Sequence, residues 1–213
     1  GLLMAAPGMA VENGWVAHEG GRVIDVGSGD PPSKPDVDRP GSALVPAFVN
    51  AHAHLDLTWL EGRLPREVGL PEWLGCLVVL RRRLHGRFGR SASAGLRKCV
   101  AGGFGVIGDI ESAGASWGPV VASGTAGVGF QEVIGISAGA VQARSETARR
   151  RLRARPACAS WRAGLSPHSA YSVAEGLLAR LAALAHATGT RLAVHAAEDP
   201  SEEEFLRKGS GPM

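Results

Sequence analysis

Only three cysteines, Cys76, Cys99 and Cys158, occur in 213 residues, and they stand far apart with no C-x-x-C pair. That spacing argues against both a disulfide framework and a thiolate zinc site, and it suits a reducing, cytoplasmic setting. Apolar runs are short: none approaches the roughly 20 residues needed to cross a bilayer, and the start lacks a charged segment followed by an apolar one. Neither a membrane span nor a secretory leader is expected. Aromatic residues make up only 5% of the chain and no large excess of one charge is present, the net charge being +3. Much of the positive charge comes from two arginine clusters, Arg81 to Arg90 and Ala148 to Pro156. Both lie at the ends of helix-like segments without interleaved aromatics, so they read as solvated helix ends rather than a nucleic-acid surface. The expected partner is a small-molecule substrate, with no nucleic acid and no membrane.

What the chain does have is 45% hydrophobic residues, thirty glycines and thirteen prolines. This is enough apolar material for a substantial core, cut by many turns, and it favours α/β over a helical bundle. Residues 14–27 read as two short strands about a Gly20-Gly21 turn, followed by a Gly/Pro/Asp-rich loop, so residues 1–42 form a small β appendage. From Ala43 onward apolar strands alternate with helical segments, the pattern of βαβ units on a parallel sheet. Strands are expected at Leu44–Ala51, Val106–Ile110, Gly127–Val133, Arg162–Ser166 and Arg191–His195. Helices are expected at Pro71–Leu84, Ser91–Ala101, Val141–Arg153 and Val173–Ala187. The last carries the clearest end signals, with Ser172 as N-cap, Glu175 in the capping-box position and Gly189 to close it.

Polar residues gather where these strands end: His52, His54, Asp109, Glu132, His168, His195 and Glu198. In a parallel α/β barrel that end collects the catalytic groups. The stretch "VPAFVNAHAHLDL" closes an apolar strand with His52 and His54, two residues apart, so both imidazoles point to one face and can reach a single metal ion. Neutral imidazoles suit zinc or iron. "RLAVHAAED" repeats the pattern, with His195 closing a strand and Glu198 following three residues later. A carboxylate placed beside a metal site can take up and pass on a proton. The plainer alternatives are a satisfied core histidine and the acidic first turn of a helix. His168, in "LSPHSAYS", can hold a substrate group or bond to the backbone of its own loop. Asp56 fits an orienting role, for its loop or for a ligand histidine, better than direct ligation. His18, His85 and His186 carry no such pattern.

Taken in order, "LVPAFVNAHAHLDL", "SPHSAYSV" and "LAVHAAED" resemble the amidohydrolase superfamily. More narrowly they are similar to its cytosine deaminase-like and chlorohydrolase-like branch, which includes deaminases of aminodeoxyfutalosine, methylthioadenosine and S-adenosylhomocysteine. The resemblance implies a (β/α)8 barrel with a small β-sandwich, residues 43–213 supplying the first five β/α units. It implies one divalent metal ion, zinc or iron, with His52, His54 and His195 as ligands and Glu198 as the catalytic, proton-shuttling glutamate. It gives His168 and Glu132 to the substrate, Glu132 aligning with a recurring acidic strand end. A histidine at 168, in place of the bridging lysine of the binuclear branches, favours one metal over two. The implied activity is metal-dependent hydrolysis of a C–N bond, foremost the deamination of an aminated purine- or pyrimidine-like heterocycle.

The family also places a histidine after the sixth strand and an aspartate after the eighth, and this sequence supplies neither. Ala43 to Met213 falls short of the roughly 250 residues of a whole barrel. A chain that begins at Gly1 and stops in loop-like residues is therefore expected to be a piece of a longer enzyme. The competing reading is a non-catalytic fragment or pseudoenzyme of the same fold, whose open strand edges and apolar inner face invite a partner or a homo-oligomer.

Overall fold

The computed structural model describes residues 1–6 and 8–213 and divides into two compact units, Gly1–Phe48 and Val49–Met213. In the first, β1 (Leu2–Ala6) and β2 (Met9–Glu12) pair antiparallel, β3 (Gly14–Glu19) and β4 (Arg22–Ser28) form a hairpin, and β5 (Ala43–Leu44) joins β1 in parallel. The hairpin turn holds Gly20 and Gly21 at φ of 57° and 76°. Two successive left-handed residues let a two-residue turn match the twist of its strands, and glycine adopts that backbone without a Cβ clash. β1 and β2 lie outside the sequence expectation, being short and without a turn signal of the Gly-Gly kind.

The second unit is built on β6 (Phe48–Ala53), α1 (Leu70–Arg81), α2 (Phe88–Ala101), β7 (Phe104–Glu111), α3 (Trp117–Val121), β8 (Ala126–Val133), α4 (Val141–Ala154), β9 (Trp161–Pro167), α5 (Glu175–Thr188), β10 (Arg191–Leu192) and α6 (Pro200–Lys208). The strands lie in one sheet in the order β10-β9-β8-β7-β6, and the ladders from β7 to β10 are parallel. Among the described residues no helix is long and apolar enough to cross a membrane.

Three expectations are corrected and one helix, α3, lies outside them. The first barrel strand begins at Phe48 rather than Leu44, because Pro46 has no N–H to give to a ladder. The last strand ends at Leu192 rather than His195. Beyond it the chain stays beside β9 through Ala193 N–H to the Leu165 carbonyl (3.0 Å) and His195 N–H to the His168 carbonyl (2.7 Å). α3 spans five residues, too few to show a period. The capping box does not form: α5 starts at Glu175 behind Ala174, and the Ser172 hydroxyl lies 2.7 Å from His168 Nδ1 instead. Gly189 does close that helix, at φ 62°.

Alternation along β7 puts Ile107, Asp109 and Glu111 on its helix-facing side. Ile107 packs with Leu55, Ala92, Leu96, Val120 and Trp161, while Val133 and Leu165 pack with Leu177 and Leu181 of α5. Glu111 ends the row as an acid inside the core, its side chain 1% exposed, and forms an ion pair with Arg155, just past α4. Arg155 also donates Nη1 to the Gly129 carbonyl at 2.5 Å and lies 4.7 Å from the Trp117 ring centroid. Position 129 is glycine because a Cβ there would come within 2.9 Å of Glu111 Oε1 and 3.2 Å of Arg155 Nη1.

Burial pushes the Glu111 carboxyl above its usual range, with Arg155 pulling against it. Arg155→Met should therefore cost about 3 kcal/mol in urea denaturation at pH 7, since it leaves a buried acid without its cation. In that variant the folded chain holds a proton that the unfolded chain releases above the ordinary carboxyl value of 4.5, so stability falls as pH rises from there. Adding Glu111→Gln should recover most of the loss; a variant as stable as the parent across that range would refute the account.

Candidate metal centre

His52 is the penultimate residue of β6 and His54 the first residue beyond that strand, while the stretch after β10 brings in His195. The ligand nitrogens of these three histidines lie within 4.8 Å of one another. His54 Nε2 and His195 Nε2 are 3.2 Å apart. Two nitrogens bound tetrahedrally to one zinc at ordinary Zn–N lengths would be about 3.3 Å apart, so this pair already has the required spacing. The His52 ring centroid sits 5.2 Å from that of His54 and 4.8 Å from that of His195.

His195 Nδ1 lies 3.0 Å from the His168 carbonyl, which fixes the ring with Nδ1–H donating outward and the Nε2 lone pair facing the cluster. Burial, and then the neighbouring His195, lowers the His54 imidazole to about 3 against an opposing backbone bond to Ile110. His52 is lowered too, again by burial first. Crowded imidazoles that resist protonation leave lone pairs for a cation, and this donor set fits a divalent ion.

Glu132 from β8 and His168, just past β9, stand beside this trio. His168 Nε2 is 3.9 Å from Glu132 Oε1, with the two side chains 13% and 7% exposed. Burial raises the Glu132 carboxyl, with Arg81 and His195 opposing, and burial followed by His195 lowers His168 to about 4. His168 Nδ1 is held by the hydroxyls of Ser169 (3.0 Å) and Ser172 (2.7 Å), leaving Nε2 on the Glu132 side. Glu132, His168 and His195 form a second trio as compact as the first. Because His195 Nδ1 is engaged, its one remaining nitrogen can serve one ion only.

Glu198 follows Ala197, a non-glycine residue in the left-handed region at φ 57°. Such strain persists only where the surroundings impose it, and it gathers at functional sites. The start of α6 is served by other groups. Asp199 Oδ1 accepts from Ser201 N–H at 2.8 Å, and Glu202 Oε2 accepts from Glu198 N–H at 2.8 Å. Glu198 therefore precedes the helix cap, and its exposed carboxylate accepts a hydrogen bond from Tyr171 Oη at 3.3 Å. Its charge reaches His52, where it favours protonation against the burial effect. Tyr171 is pushed up to about 12, by burial first, and so keeps the proton it donates. Sequence reasoning gave Tyr171 no role; its place three residues after His168 was the available signal.

The remaining carboxylates sit elsewhere. Asp109, grouped by sequence with the strand-end polar residues, turns to the helix side of β7 and accepts from Leu55 N–H at 2.9 Å. Asp56 bonds to the loop after β7 rather than to a histidine, its Oδ2 accepting from Ser112 N–H (3.0 Å), Ser112 Oγ (2.9 Å) and Ala113 N–H (2.9 Å).

Residues 43–211 match the amidohydrolase family. The chain belongs to that family. This amidohydrolase chain is 34% identical over 188 residues to an aminodeoxyfutalosine deaminase of Deinococcus radiodurans, covering 83% of this chain and 42% of that protein. Its structure is similar to that of Helicobacter pylori aminofutalosine deaminase in complex with methylthio-coformycin, with a TM-score of 0.75, 19% identity, and coverage of 99% of this chain and 54% of the other. It is also similar to an adenosine deaminase from Xanthomonas campestris with bound zinc, with a TM-score of 0.71, 19% identity, and coverage of 99% and 53%. The fold of this amidohydrolase is thus α/β, its five-stranded sheet a partial (β/α)8 barrel as the sequence led us to expect. The chain spans about half the length of the relatives it matches.

Proposed function

We propose that the protein carrying this chain is a metal-dependent hydrolase that removes the amino group of an aminated, purine-like heterocycle as ammonia. The observation that carries this reading is the convergence of the His52, His54 and His195 nitrogens within 4.8 Å. In this reading the three imidazoles hold one divalent ion, zinc or iron. Such an ion supplies Lewis acidity, lowering the pKa of water towards about 7. Glu198 accepts the proton of the attacking water on the carboxylate oxygen that Tyr171 leaves free. It passes that proton to a ring nitrogen, then takes the second proton from the added hydroxyl and hands it to the departing amine as the carbonyl forms. The water oxygen ends on the ring carbon, the C–N bond breaks, and ammonia leaves. His168 Nε2 and Glu132 line the same site and hold the edge of the heterocycle.

The likeness to an aminodeoxyfutalosine deaminase supports a purine-like substrate. The family match over 43–211 supports a division into residues 1–42, as part of a small β-sandwich, and residues 43–213, as the first five barrel units. The converged imidazoles, with a strained turn carrying a carboxylate beside them, weigh against a non-catalytic fragment. The test is ammonia release by the intact, metal-replete protein over 6-aminopurine nucleosides, aminopyrimidines, simple amides, guanidines and a chlorinated triazine. Ammonia from the aminated heterocycles, foremost the purine nucleosides, is expected. Ammonia from the amides or guanidines alone, or halide release alone, would overturn the assignment.

A further inference from the structure

The turn that bears His54 is tied to β7 by two carboxylates running in opposite directions. Asp109, from β7, accepts the N–H of Leu55, the residue directly after His54, at 2.9 Å. Asp56, two residues after His54, reaches back and takes three donors on one oxygen: Ser112 N–H (3.0 Å), Ser112 Oγ (2.9 Å) and Ala113 N–H (2.9 Å). Arg81, at the end of α1, donates Nη2 to the Ser112 carbonyl at 2.9 Å, so the same loop is gripped from a third element. Both carboxylates are completely buried. Burial raises both above the usual carboxyl range, Asp109 to about 8. An apolar side chain would fill the same volume without desolvating an acid. What the acids add is a set of directed bonds, and those bonds fix the two residues directly after His54.

We propose that Asp56 and Asp109 are positioning residues for His54, a reciprocal clasp that holds its imidazole at the 3.2 Å approach to His195. The inference rests on reading His54 as a metal ligand. Leu55 is already packed into the core between Ala92, Leu96 and Ile107, which anchors the depth of the turn. The clasp governs its rotation, on which the aim of the neighbouring imidazole depends. Partners of this kind, acting behind a ligand, typically contribute a factor of about 10–100 in metal affinity.

The test measures zinc affinity by chelator competition and the visible spectrum of the cobalt-substituted form, both on the intact protein. Asp56→Ala and Asp109→Ala should weaken zinc binding by about 10–100-fold and shift the cobalt bands. Asp56→Asn and Asp109→Asn should stay close to the parent in both readouts, since a carboxamide oxygen can take the place of the accepting carboxylate oxygen. Ser112→Ala removes one of the three bonds to Asp56 and leaves the backbone bonds, so it reports even where an aspartate-to-alanine variant does not fold; a few-fold loss of zinc affinity is expected. Folded alanine variants, Ser112→Ala included, with parental zinc affinity and an unshifted cobalt spectrum would overturn the clasp. Full zinc stoichiometry in His54→Ala would instead overturn the metal-centre reading, and the clasp with it.

Discussion

His54→Ala and His195→Ala, each made in the intact protein, should lose bound metal and turnover together. A zinc site is held by roughly 10–16 kcal/mol shared among about four ligands, so one imidazole accounts for about 3 kcal/mol, on the order of 100-fold in affinity. For these two residues the loss should be at the upper end, because their Nε2 atoms already stand 3.2 Å apart, the spacing that one ion requires. Neither ring is replaceable by a neighbour. Glu132 and His168 face His195 rather than the His52 side, and the cysteines lie apart, with Cys99 Sγ contacting Asn50 at 3.9 Å. Elemental analysis after dialysis and an ammonia-release assay read the two losses. Cys76→Ala is the control, since Cys76 lies in α1 outside the cluster, and it should keep its metal. A dialysed His54→Ala protein that retains one ion per chain would end the assignment.

The histidines were legible because period-2 side-chain alternation and strand-end position are local properties that sequence carries directly. His52 and His54 stand two residues apart at the end of β6, and the apolar run before His52 locates that end, whereas β10 stops three residues short of His195. One helix end and one hairpin turn were readable from glycine, as Gly189 and the Gly20-Gly21 pair show. What the sequence hid depends on groups that are distant along the chain. Asp56 finds its three donors more than fifty residues away, and the phase of β7, rather than its end, decides that Asp109 turns from the histidines. The arginine clusters split for the same reason. Arg82 and Arg83 are solvated as expected, whereas Arg81 is drawn in by the Ser112 carbonyl and Arg155 by Glu111. Ser172 looked like a cap because its local pattern fits one, but a tertiary partner, His168, claims its hydroxyl. Local propensity loses wherever a buried polar group needs a partner more than a helix end does.

Glu198→Gln separates a proton carrier from a ligand, because the two roles fail differently. Glutamine keeps the length and shape of the side chain and can still accept the hydrogen bond from Tyr171, but it cannot take up a proton. Metal content and substrate binding should stay near parental values, while turnover falls by roughly 10²–10⁴, the usual contribution of a positioned acid–base group. A helix-capping explanation makes the opposite forecast, and the geometry supplies its control. The cap of α6 is Asp199, bonded to Ser201 N–H at 2.8 Å, with Glu202 bonded to the backbone of Glu198. Asp199→Ala should therefore lower the melting temperature and leave turnover nearly intact, whereas Glu198→Gln should do the reverse. Tyr171→Phe should fall between them, loosening one carboxylate oxygen without removing the base. Steady-state kinetics, metal analysis and thermal melts on the three variants give the pattern. A Glu198→Gln protein that is metal-loaded and fully active would remove Glu198 from the chemistry and leave the strained Ala197 turn without the role assigned to it here.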